Sequence, residues 1–423
     1  MALDNEILFP HDTSLEKLPI AEREKIMNEK LCRLVAYAYR NAPAVKERFD
    51  GVGLKPDEVC GMRDLEALPI LRKDDLVELQ KKHPPFGGYL AVPMESLERV
   101  FQSPGPINDP ARRIKAGSEY ADFGKGQIAM NTWAYHLSPG GFIIDQMLHN
   151  MGCTVFPAGP GNTDLQLQIM RSLGISGFVG TPSFLNTLIK RAEELGFDFK
   201  KDFNLKWAMA FGEMGGDALR KTFKEKYGIV CLGGDTYVTA DIGFIASSCD
   251  MGTGMHVNTD VIVEIVDPHT GKVLGPGEVG EVVVTPFDEV YPLIRFSTGD
   301  LSCLHTEVCE CGRATPRLPK IMGRTGDAVR VRAMFIHPNQ SNEVAARFPE
   351  IGAYQLIVTR EDNRDNMVMR IEPAGELTDE KKWLEELDRN FRDVCKVRFD
   401  KLEFVPAGTI SPEAKRILDN RVY

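Results

Sequence analysis

The sequence predicts an α/β protein: a large N-terminal domain with mixed and parallel sheets plus a β-subdomain, followed by a small, mobile C-terminal α+β domain. Its 423 residues exceed one ordinary hydrophobic core, so we expect about two or three folding units. Between residues 131 and 248, short apolar segments alternate with helical segments, which is typical of a parallel sheet covered on both faces. After residue 255, polar and apolar residues alternate around a Pro-Gly turn at 276–277, which indicates a β-hairpin.

The same patterns predict the elements in chain order. Residues 13–50 carry apolar side chains at helical spacing and predict an N-terminal helix that packs on the main domain. The α/β part that follows predicts alternating helices and strands at 140–151, 154–157, 163–173, 177–180 and 182–195. The C-terminal part predicts strands near 355–359, 366–371 and 397–405 and a helix near 379–394. We place the boundary between the two domains, 1–322 and 328–423, at the Gly-rich turn 323–327.

The composition excludes several classes of protein. The chain is 43% hydrophobic and 26% charged, as in soluble globular proteins, and it has no apolar run of the ~18 residues that a membrane span needs. Its net charge of −10 opposes a large nucleic-acid footprint, which needs clustered lysine and arginine. The nine cysteines fit free thiols and a metal better than a disulfide framework. Because the N-terminus lacks a signal-peptide pattern, we expect a cytoplasmic protein.

A turn-rich loop follows a short strand in the segment RVFQSPGPINDPAR (99–112). A loop of glycine and hydroxyl residues after a strand is one way to hold phosphate, and Ser103 and Gly105 are the candidates. A plain structural turn explains the same residues. The segment contains no GxxxxGK[ST] pattern, which rules out a P-loop.

Two further turns and one dense segment are candidate sites. In doubly wound sheets, ligands bind where the carboxyl ends of the strands meet their loops, which favours the turns at 211–216 and 233–241. The segment 294–327 contains the acidic turn Thr298-Gly299-Asp300, a close cysteine pair and the arginine turn at 323–327. That density of chemically active residues indicates a site and a joint between domains.

Taken in order, these motifs resemble the phenylacetate–CoA ligase family of the acyl/aryl adenylate-forming (AMP-binding) superfamily, over most of the chain. The pieces that carry the resemblance are GFIIDQMLHNMGCTVFPAGPGNTDLQLQIM, GTPSFLNTL, GDTYVTADIG, MHVNTDVIVEIVDPHTG, GEVGEVVVTP, RFSTGD, CECGR, IMGRTGD and GTISPEAKRILDNR. The resemblance implies a two-step ligation. A carboxylate attacks the α-phosphorus of ATP to give an acyl-adenylate and pyrophosphate, and the thiol of CoA then displaces AMP.

The resemblance also implies roles for single residues. Tyr237 matches the aromatic residue that stacks beside adenine, Asp241 matches the acidic residue that binds Mg²⁺, and Thr239 would contact the α-phosphate. Asp300 matches the aspartate that binds the ribose hydroxyls, and Arg324 matches the arginine that reaches ribose or phosphate. The other residues expected to bind the nucleotide are Ser103, Gly105, Gly212, Glu213, Met214 and Asp235.

Residues 131–142 match the segment that lines the acid pocket in this family. Trp133 and Tyr135 would form an apolar, partly aromatic wall, and the small Gly140 and Gly141 would leave room beside it. This composition favours an aryl or apolar carboxylic acid over a highly charged one. Aromatic side chains in such a segment also serve as ordinary core.

A zinc site in the large domain is a further trait that the resemblance implies. Cys309 and Cys311 would be ligands together with Cys249 and His256, and Cys303 is a rival for the fourth position. Four thiolate and imidazole ligands suit tetrahedral structural zinc. Buried free thiols are the alternative interpretation.

Two segments depart from the family pattern. The phosphate loop lacks the usual lysine and most of the usual hydroxyl residues, so we expect triphosphate binding to be rearranged or weakened. The C-terminal segment, which usually presents Gly-Lys-Ala-Lys-Arg, reads SPEAKR at 411–416. Lys415 is therefore the candidate catalytic lysine, since a long ammonium side chain reaches several ångströms.

The sequence leaves three functions open. The first is an AMP-forming acid–CoA ligase whose partners are a small carboxylic acid, ATP and CoA, with Mg²⁺ and structural Zn²⁺ as metals, 323–327 as a hinge and the C-terminal domain as a lid. The second is an adenylyltransferase that uses another small acceptor without CoA. The third is a degenerate nucleotide- or acyl-CoA-binding protein. We expect no nucleic-acid or membrane partner, and assembly as a homodimer remains open.

Overall fold

The structure is a computed structural model. It describes residues 9, 12–103, 105–112, 114, 121–213, 216–249, 251–268, 270–325, 329–332, 334–336, 338–361, 364–375, 380–395 and 397–421. The chain divides into two compact units, Met1–Gly323 and Arg324–Tyr423. This division falls inside the segment expected to be the hinge, of which Gly326 and Asp327 lie outside the described residues.

The helices and strands have the following bounds. The helices are α1 (Ile20–Asn41), α2 (Pro43–Gly51), α3 (Lys73–Lys82), α4 (Ala121–Gly124), α5 (Gly140–Asn150), α6 (Thr163–Ser172), α7 (Pro182–Glu194), α8 (Phe199–Asp202), α9 (Asp217–Thr222), α10 (Pro338–Ala345) and α11 (Glu380–Cys395). The strands of the first unit are β1 (Val100–Ser103), β2 (Ile107–Pro110), β3 (Ile128–Asn131), β4 (Thr154–Pro157), β5 (Gly177–Gly180), β6 (Trp207–Ala210), β7 (Val230–Cys231), β8 (Thr236–Thr239), β9 (Gly243–Ser248), β10 (Met255–Val257), β11 (Val261–Val266), β12 (Gly280–Pro286), β13 (Phe296–Ser302) and β14 (Arg317–Leu318). The others are β15 (Gly323–Arg324), β16 (Val329–Val331), β17 (Met334–Ile336), β18 (Ile351–Glu361), β19 (Arg364–Pro373), β20 (Lys401–Phe404) and β21 (Ile417–Asp419).

A five-stranded parallel sheet in the order β4-β3-β5-β6-β7 forms one centre of the first unit. Successive residues of a strand point to opposite faces, and each face has its own apolar core. Phe178 and Ala208 pack into one core, whereas Val179 and Trp207 pack into the other. The predicted α/β class is therefore confirmed, and helices α5, α6 and α7 begin and end within one residue of the ranges expected from the sequence.

Antiparallel sheets, with the N-terminal helices, form another part of the first unit. Strands β11 and β12 pair from Val261 opposite Pro286 to Val266 opposite Glu281, which is the hairpin that the alternation predicted. A second sheet has the order β14-β10-β9-β8. These strands share a core with the N-terminal helices α1 and α2. Among the described residues, no helix is both long and apolar enough to cross a membrane.

The second unit is an α+β fold with its own core. Its four-stranded sheet has the order β20-β19-β18-β21, in which the central pair β18 and β19 is antiparallel and both outer pairings are parallel. Leu356 and Met369 from the sheet and Leu387 and Phe391 from α11 are fully buried. The strand and helix pattern expected for the C-terminal part is thus present.

Gly177 is required by the packing of the parallel sheet. A methyl group added there would lie 2.1 Å from Trp207 Cζ2, and Trp207 is its partner on the adjacent strand. We expect Gly177→Ala to lower the free energy of unfolding by about 1–3 kcal/mol, the usual cost of an overpacked core. Urea unfolding measures this change. Gly51→Ala is the matched control, because nothing lies within 4 Å of a methyl group at Gly51.

Candidate functional site

The expected phosphate loop is the turn between β1 and β2, which pair antiparallel from Val100 opposite Pro110 to Ser103 opposite Ile107. Gly105 has φ 128°, a backbone conformation that favours glycine. A Cβ at Gly105 would lie 2.9 Å from Cε of Lys73, the first residue of α3. The loop therefore lies directly against a lysine that is distant in sequence.

Lys73 and the loop converge on Asp241, which is buried. Lys73 Nζ lies 3.0 Å from Asp241 Oδ2, and Ser103 Oγ donates to Asp241 Oδ1 at 3.1 Å. Arg112 Nη1 donates to the backbone carbonyl of Asp241. The structure thus brings the candidate residues Ser103, Gly105 and Asp241 together. It also supplies at Lys73 a positive charge that the loop sequence lacks.

Asp109 is a second carboxylate in this cluster and was not expected from the sequence. It lies in β2 with 2% of its surface exposed. Burial, and then the charge of Asp241, raise the pKa of Asp109 to about 7, while the nearby Arg112 opposes this shift. Arg112 Nε in turn lies 2.8 Å from Asp288 Oδ2. Carboxylates and cations therefore alternate around the base of the loop.

Two residues expected to bind the nucleoside contact each other. Tyr237 in β8 donates its hydroxyl proton to Asp300 Oδ2 in β13 at 2.7 Å. The backbone N–H of Asp300 donates to Thr298 Oγ1 at 3.2 Å. Thr239 accepts a hydrogen bond from the N–H of Ile242 at 3.2 Å, so its hydroxyl closes the turn that carries Asp241.

The turn after β6 carries Gly212 and Glu213. Gly212 has φ 87°, and a Cβ there would lie 2.6 Å from Trp133 Cη2. The Trp133 ring also stacks on Phe211 with centroids 5.6 Å apart. Glu213 accepts hydrogen bonds from the backbone N–H and the hydroxyl of Ser183. This turn therefore joins the expected adenine wall to the expected acid pocket.

The other two residues of the expected nucleotide set stand apart from this turn. Met214 lies outside the described residues. Asp235 accepts a hydrogen bond at 2.7 Å from Nη2 of the buried Arg220. This contact fixes the loop that leads into β8, and it is a structural contact of Asp235 and not one with the residues of the turn after β6.

The expected acid-pocket segment forms a cluster of aromatic and small residues. The Tyr135 hydroxyl donates to Asp145 Oδ1 at 2.7 Å and accepts from Asn131 Nδ2 at 2.7 Å. Phe142 packs edge-on against Tyr135 with centroids 5.3 Å apart. A methyl group at Gly141 would lie 2.4 Å from the carbonyl oxygen of Ala134. Glycine is therefore needed there for the close approach of two backbone segments.

A groove of about 610 Å³ opens beside this cluster. Its walls include Phe101, Tyr135, Leu137 and Phe142, with Arg99 at one side. The Arg99 guanidinium lies over the Phe142 ring, 4.9 Å from its centroid. Gln102 and Asn108 add two amide groups to the lining. The groove is thus partly apolar and aromatic, and its one charged group is a cation on an aromatic face.

The four residues expected to bind zinc lie together in the first unit. The ligand atoms of Cys249, His256, Cys309 and Cys311 all lie within 4.8 Å of one another. Cys249 Sγ is 3.8 Å from Cys309 Sγ, and Cys311 Sγ is 3.5 Å from His256 Nε2. His256 Nδ1 lies 3.1 Å from Thr315 Oγ1, a contact that orients the ring so that Nε2 faces the thiols.

The rival ligand Cys303 is not in this group. Its Sγ lies 3.9 Å from His305 Nε2.

Burial, with the positive charges of Arg313 and Arg317, lowers the pKa of His256 to about 4. The His256 imidazole is therefore neutral at physiological pH, which is the form that ligates a metal.

Lys415 and Arg324 belong to the second unit. The backbone carbonyl of Lys415 accepts a hydrogen bond from Gln355 Nε2 at 2.9 Å, and its side chain is exposed. The next residue, Arg416, donates to the backbone carbonyl of Tyr354, and its guanidinium lies over the aromatic ring of Tyr354. The backbone around Lys415 is therefore fixed to β18.

Comparison with known proteins identifies the family. Residues 133–286 match the AMP-binding enzyme family, and residues 333–421 match the AMP-binding enzyme C-terminal domain. A phenylacetate-coenzyme A ligase of Thermus thermophilus is 30% identical over 86% of this chain and 84% of its own length. The chain belongs to the phenylacetate–CoA ligase family. A second such ligase, from Pseudomonas putida, is 29% identical over 86% of this chain and 85% of its own length.

A solved structure supports the same assignment for this ligase. A crystal structure of 2-hydroxyisobutyryl-CoA ligase in complex with 2-HIB-AMP and CoA superposes with a TM-score of 0.84 at 25% identity, covering 96% of this chain and 91% of that one. The amide bond synthetase McbA of Marinactinospora thermotolerans, at 18% identity and a TM-score of 0.57, shares the fold. The ligase is an AMP-forming acid–CoA ligase, and its nucleotide and thiol substrates are ATP and CoA.

Proposed function

We propose that this ligase activates an aryl or other apolar carboxylic acid. The observation that carries the proposal is the aromatic groove of about 610 Å³. Burial of an apolar ring there would be favourable at roughly 25 cal/mol per Å² of apolar surface. Relatives named phenylacetate-coenzyme A ligase fit an acid of this class.

In the adenylation step, Lys73, Ser103 and Asp241, the phosphate cluster, would stabilise the charge of the phosphates. Tyr237 and Asp300, the nucleoside cluster, would position the nucleoside. Lys73 and the Ser103 hydroxyl, both now bonded to Asp241, would turn to the phosphate oxygens. Transfer of a nucleotidyl group depends mainly on such charge stabilisation and alignment. The Asp300 carboxylate would accept hydrogen bonds from the ribose hydroxyls, and Tyr237 would stack beside adenine.

Two further assignments concern the magnesium ion and the catalytic lysine. The carboxylate and hydroxyl oxygens of Asp241 and Ser103 are ligands of the type that Mg²⁺ prefers, so they fit this ion. A magnesium ion held there would neutralise phosphate charge. The exposed Lys415 ammonium would serve the reacting carboxylate and the α-phosphate, and Arg324 the ribose or a phosphate.

We also propose that Cys249, His256, Cys309 and Cys311 hold a structural zinc ion. Three thiols and one imidazole match the ligands of closed tetrahedral zinc sites. His256 lies in β10, while Cys309 and Cys311 lie in the turn before β14. Zinc would therefore fix this turn to the sheet that carries Tyr237.

Tyr237→Phe tests the link between adenine and ribose. The substitution keeps the ring that would stack on adenine but removes the hydrogen bond to Asp300. We expect AMP to bind about 10–100-fold more weakly, because a hydrogen bond to a charged group is worth about 1.5–3 kcal/mol and 1.4 kcal/mol is about tenfold. Calorimetry with AMP and with 2′,3′-dideoxy-AMP measures the effect. The dideoxy nucleotide should bind equally to both proteins, and an equal loss for both nucleotides would contradict the role in ribose binding.

A hydroxamate screen tests the acid class. Incubation of acids with ATP and hydroxylamine detects the activated acyl group without requiring CoA. We expect aryl and apolar acids to give hydroxamate and polyanionic acids to give none. A preference for polyanionic acids would overturn the assignment.

Gly140→Ala sharpens that screen. A methyl group at Gly140 would meet only Ser138 Oγ at 3.8 Å and Trp133 Cε3 at 3.9 Å, which are ordinary contacts. We expect the variant to fold normally. Gly140 and Trp133 lie outside the lining of the groove, so a shift toward smaller acids would show that the bound acid also reaches this part of the expected acid-pocket segment. Gly51→Ala, remote from these contacts, should leave the acid profile unchanged.

A further inference from the structure

The base of the phosphate loop contains a buried carboxylate that the adenylation scheme does not use. Asp109 is 2% exposed and follows the loop by four residues. Asp109 pairs with Phe101 in the β1–β2 ribbon, so its side chain leaves the same face as that of Ser103, which donates to Asp241. The charge of Asp241 acts on Asp109 across this short span. In the part of the chain that the structure describes, neither carboxyl oxygen of Asp109 has a hydrogen-bond partner.

The polar groups around Asp109 are engaged elsewhere. The Ser103 hydroxyl lies close enough to Asp109 to lower the pKa of that carboxyl, but it has a single proton, which it donates to Asp241 Oδ1 at 3.1 Å. Arg112 donates to the Asp241 carbonyl and pairs with Asp288. A buried carboxylate without a donor is costly, so this position favours a ligand that brings positive charge.

Lys73 already places one positive charge beside Asp241. Its ammonium lies 3.0 Å from Asp241 Oδ2, and its side chain is 32% exposed. Within the described residues of this cluster, the three carboxylates of Asp109, Asp241 and Asp288 face two cations, Lys73 and Arg112. A divalent cation between Asp109 and Asp241 would correct this imbalance and free Lys73 for another anion.

We propose that Asp109 and Asp241 together form a two-carboxylate site for a divalent cation of the Mg²⁺ or Mn²⁺ class, which binds before the nucleotide. Carboxylate and hydroxyl oxygens are the ligands that such hard cations prefer. Binding would displace the Lys73 ammonium from Asp241 toward the incoming phosphates. The proposal rests on the proposed magnesium role of Asp241 and adds Asp109 as a second ligand. It explains how a loop without its own lysine can serve a triphosphate.

Binding of Mn²⁺ to the nucleotide-free, zinc-loaded ligase tests this site. Electron paramagnetic resonance counts free Mn²⁺ during a titration, and Mg²⁺ serves as the competitor. We expect one site in the native ligase, at least tenfold weaker binding in Asp109→Asn, and restored binding in Asp109→Glu. Asp164→Asn removes an exposed carboxylate that pairs with Arg191 and should change nothing. Circular dichroism verifies that each variant is folded.

Lys73→Gln is expected to change the affinity for Mn²⁺ in the direction opposite to Asp109→Asn. Because its ammonium competes for Asp241, its removal should tighten Mn²⁺ binding severalfold. Absence of Mn²⁺ binding without nucleotide, or unchanged binding in Asp109→Asn, would overturn the two-carboxylate site. Neither result would affect acid-dependent AMP formation, which is measured separately. Conversely, an acid panel without activity would leave the Mn²⁺ titration fully interpretable.

Discussion

Replacement of Asp241 by asparagine is expected to lower the rate of adenylation by about 10²–10³-fold, the usual effect of removing one preorganised electrostatic group. Asp241 is the point at which Lys73, Ser103 and Arg112 converge. The neutral amide would lose the charge that holds Lys73 and that would hold the proposed metal ion. Acid-dependent exchange of pyrophosphate into ATP, at saturating ATP and Mg²⁺, measures the adenylation step alone.

Asp164→Asn is the control for the loss of one carboxylate, and it should exchange pyrophosphate at the native rate. The affinity of the Asp241→Asn variant for the acid should remain unchanged, because the proposed acid pocket lies around Tyr135 and Phe142. Full exchange activity in Asp241→Asn would show that the phosphate cluster is not the adenylation site.

Replacement of Cys309 by serine is expected to remove zinc from the ligase and to lower its melting temperature by about 10 °C. Cys309 Sγ lies within reach of Cys249 and Thr253, and the group of four ligands joins two separate segments. Structural zinc contributes folding free energy directly, and about 1 kcal/mol corresponds to about 2–4 °C in a domain of this size. Elemental analysis and thermal unfolding measure the two effects.

Cys303→Ser is the matched control for this experiment. Cys303 is also buried, but it contacts His305 and lies outside the group of four. The control variant should keep one zinc ion per chain and nearly the native melting temperature. Full zinc content in Cys309→Ser, or zinc loss in Cys303→Ser, would contradict the proposed ligand set.

Much of the fold could be predicted because its elements have strong local signatures. The parallel sheet was predicted from short apolar segments between amphipathic helices, and such strands are buried on both faces. The hairpin of β11 and β12 was predicted from alternation around a Pro-Gly turn. The exact packing is a tertiary property: nothing in the sequence near Gly177 indicates that Trp207 covers it.

The candidate site was only partly predictable. Asp241 and Asp300 could be proposed because they lie in short motifs that resemble those of the family, whereas Ser103 lies in a loop that a plain structural turn also explains. Lys73 and Asp109 were missed because each is a single residue whose role depends on what the fold places beside it. A lysine at the start of α3 resembles any helix start, and its contact with Asp241 spans 168 positions in sequence.

The missing lysine of the phosphate loop was the signal that could have directed attention to Lys73. A site that handles phosphate needs positive charge, so its absence from the loop implies a source elsewhere in the chain. The sequence alone offers 51 lysines and arginines as that source. The contact of Lys73 with Gly105 and Asp241 selects one of them.

The most direct test of the central claim is product analysis after incubation of the native ligase with ATP, Mg²⁺, CoA and an aryl acid. Mass spectrometry should find acyl-CoA and AMP in equal amounts, with both absent when the acid is omitted. An AMP-modified acceptor formed without CoA, or CoA and acid left unchanged by an enzyme that binds ATP, would contradict the account.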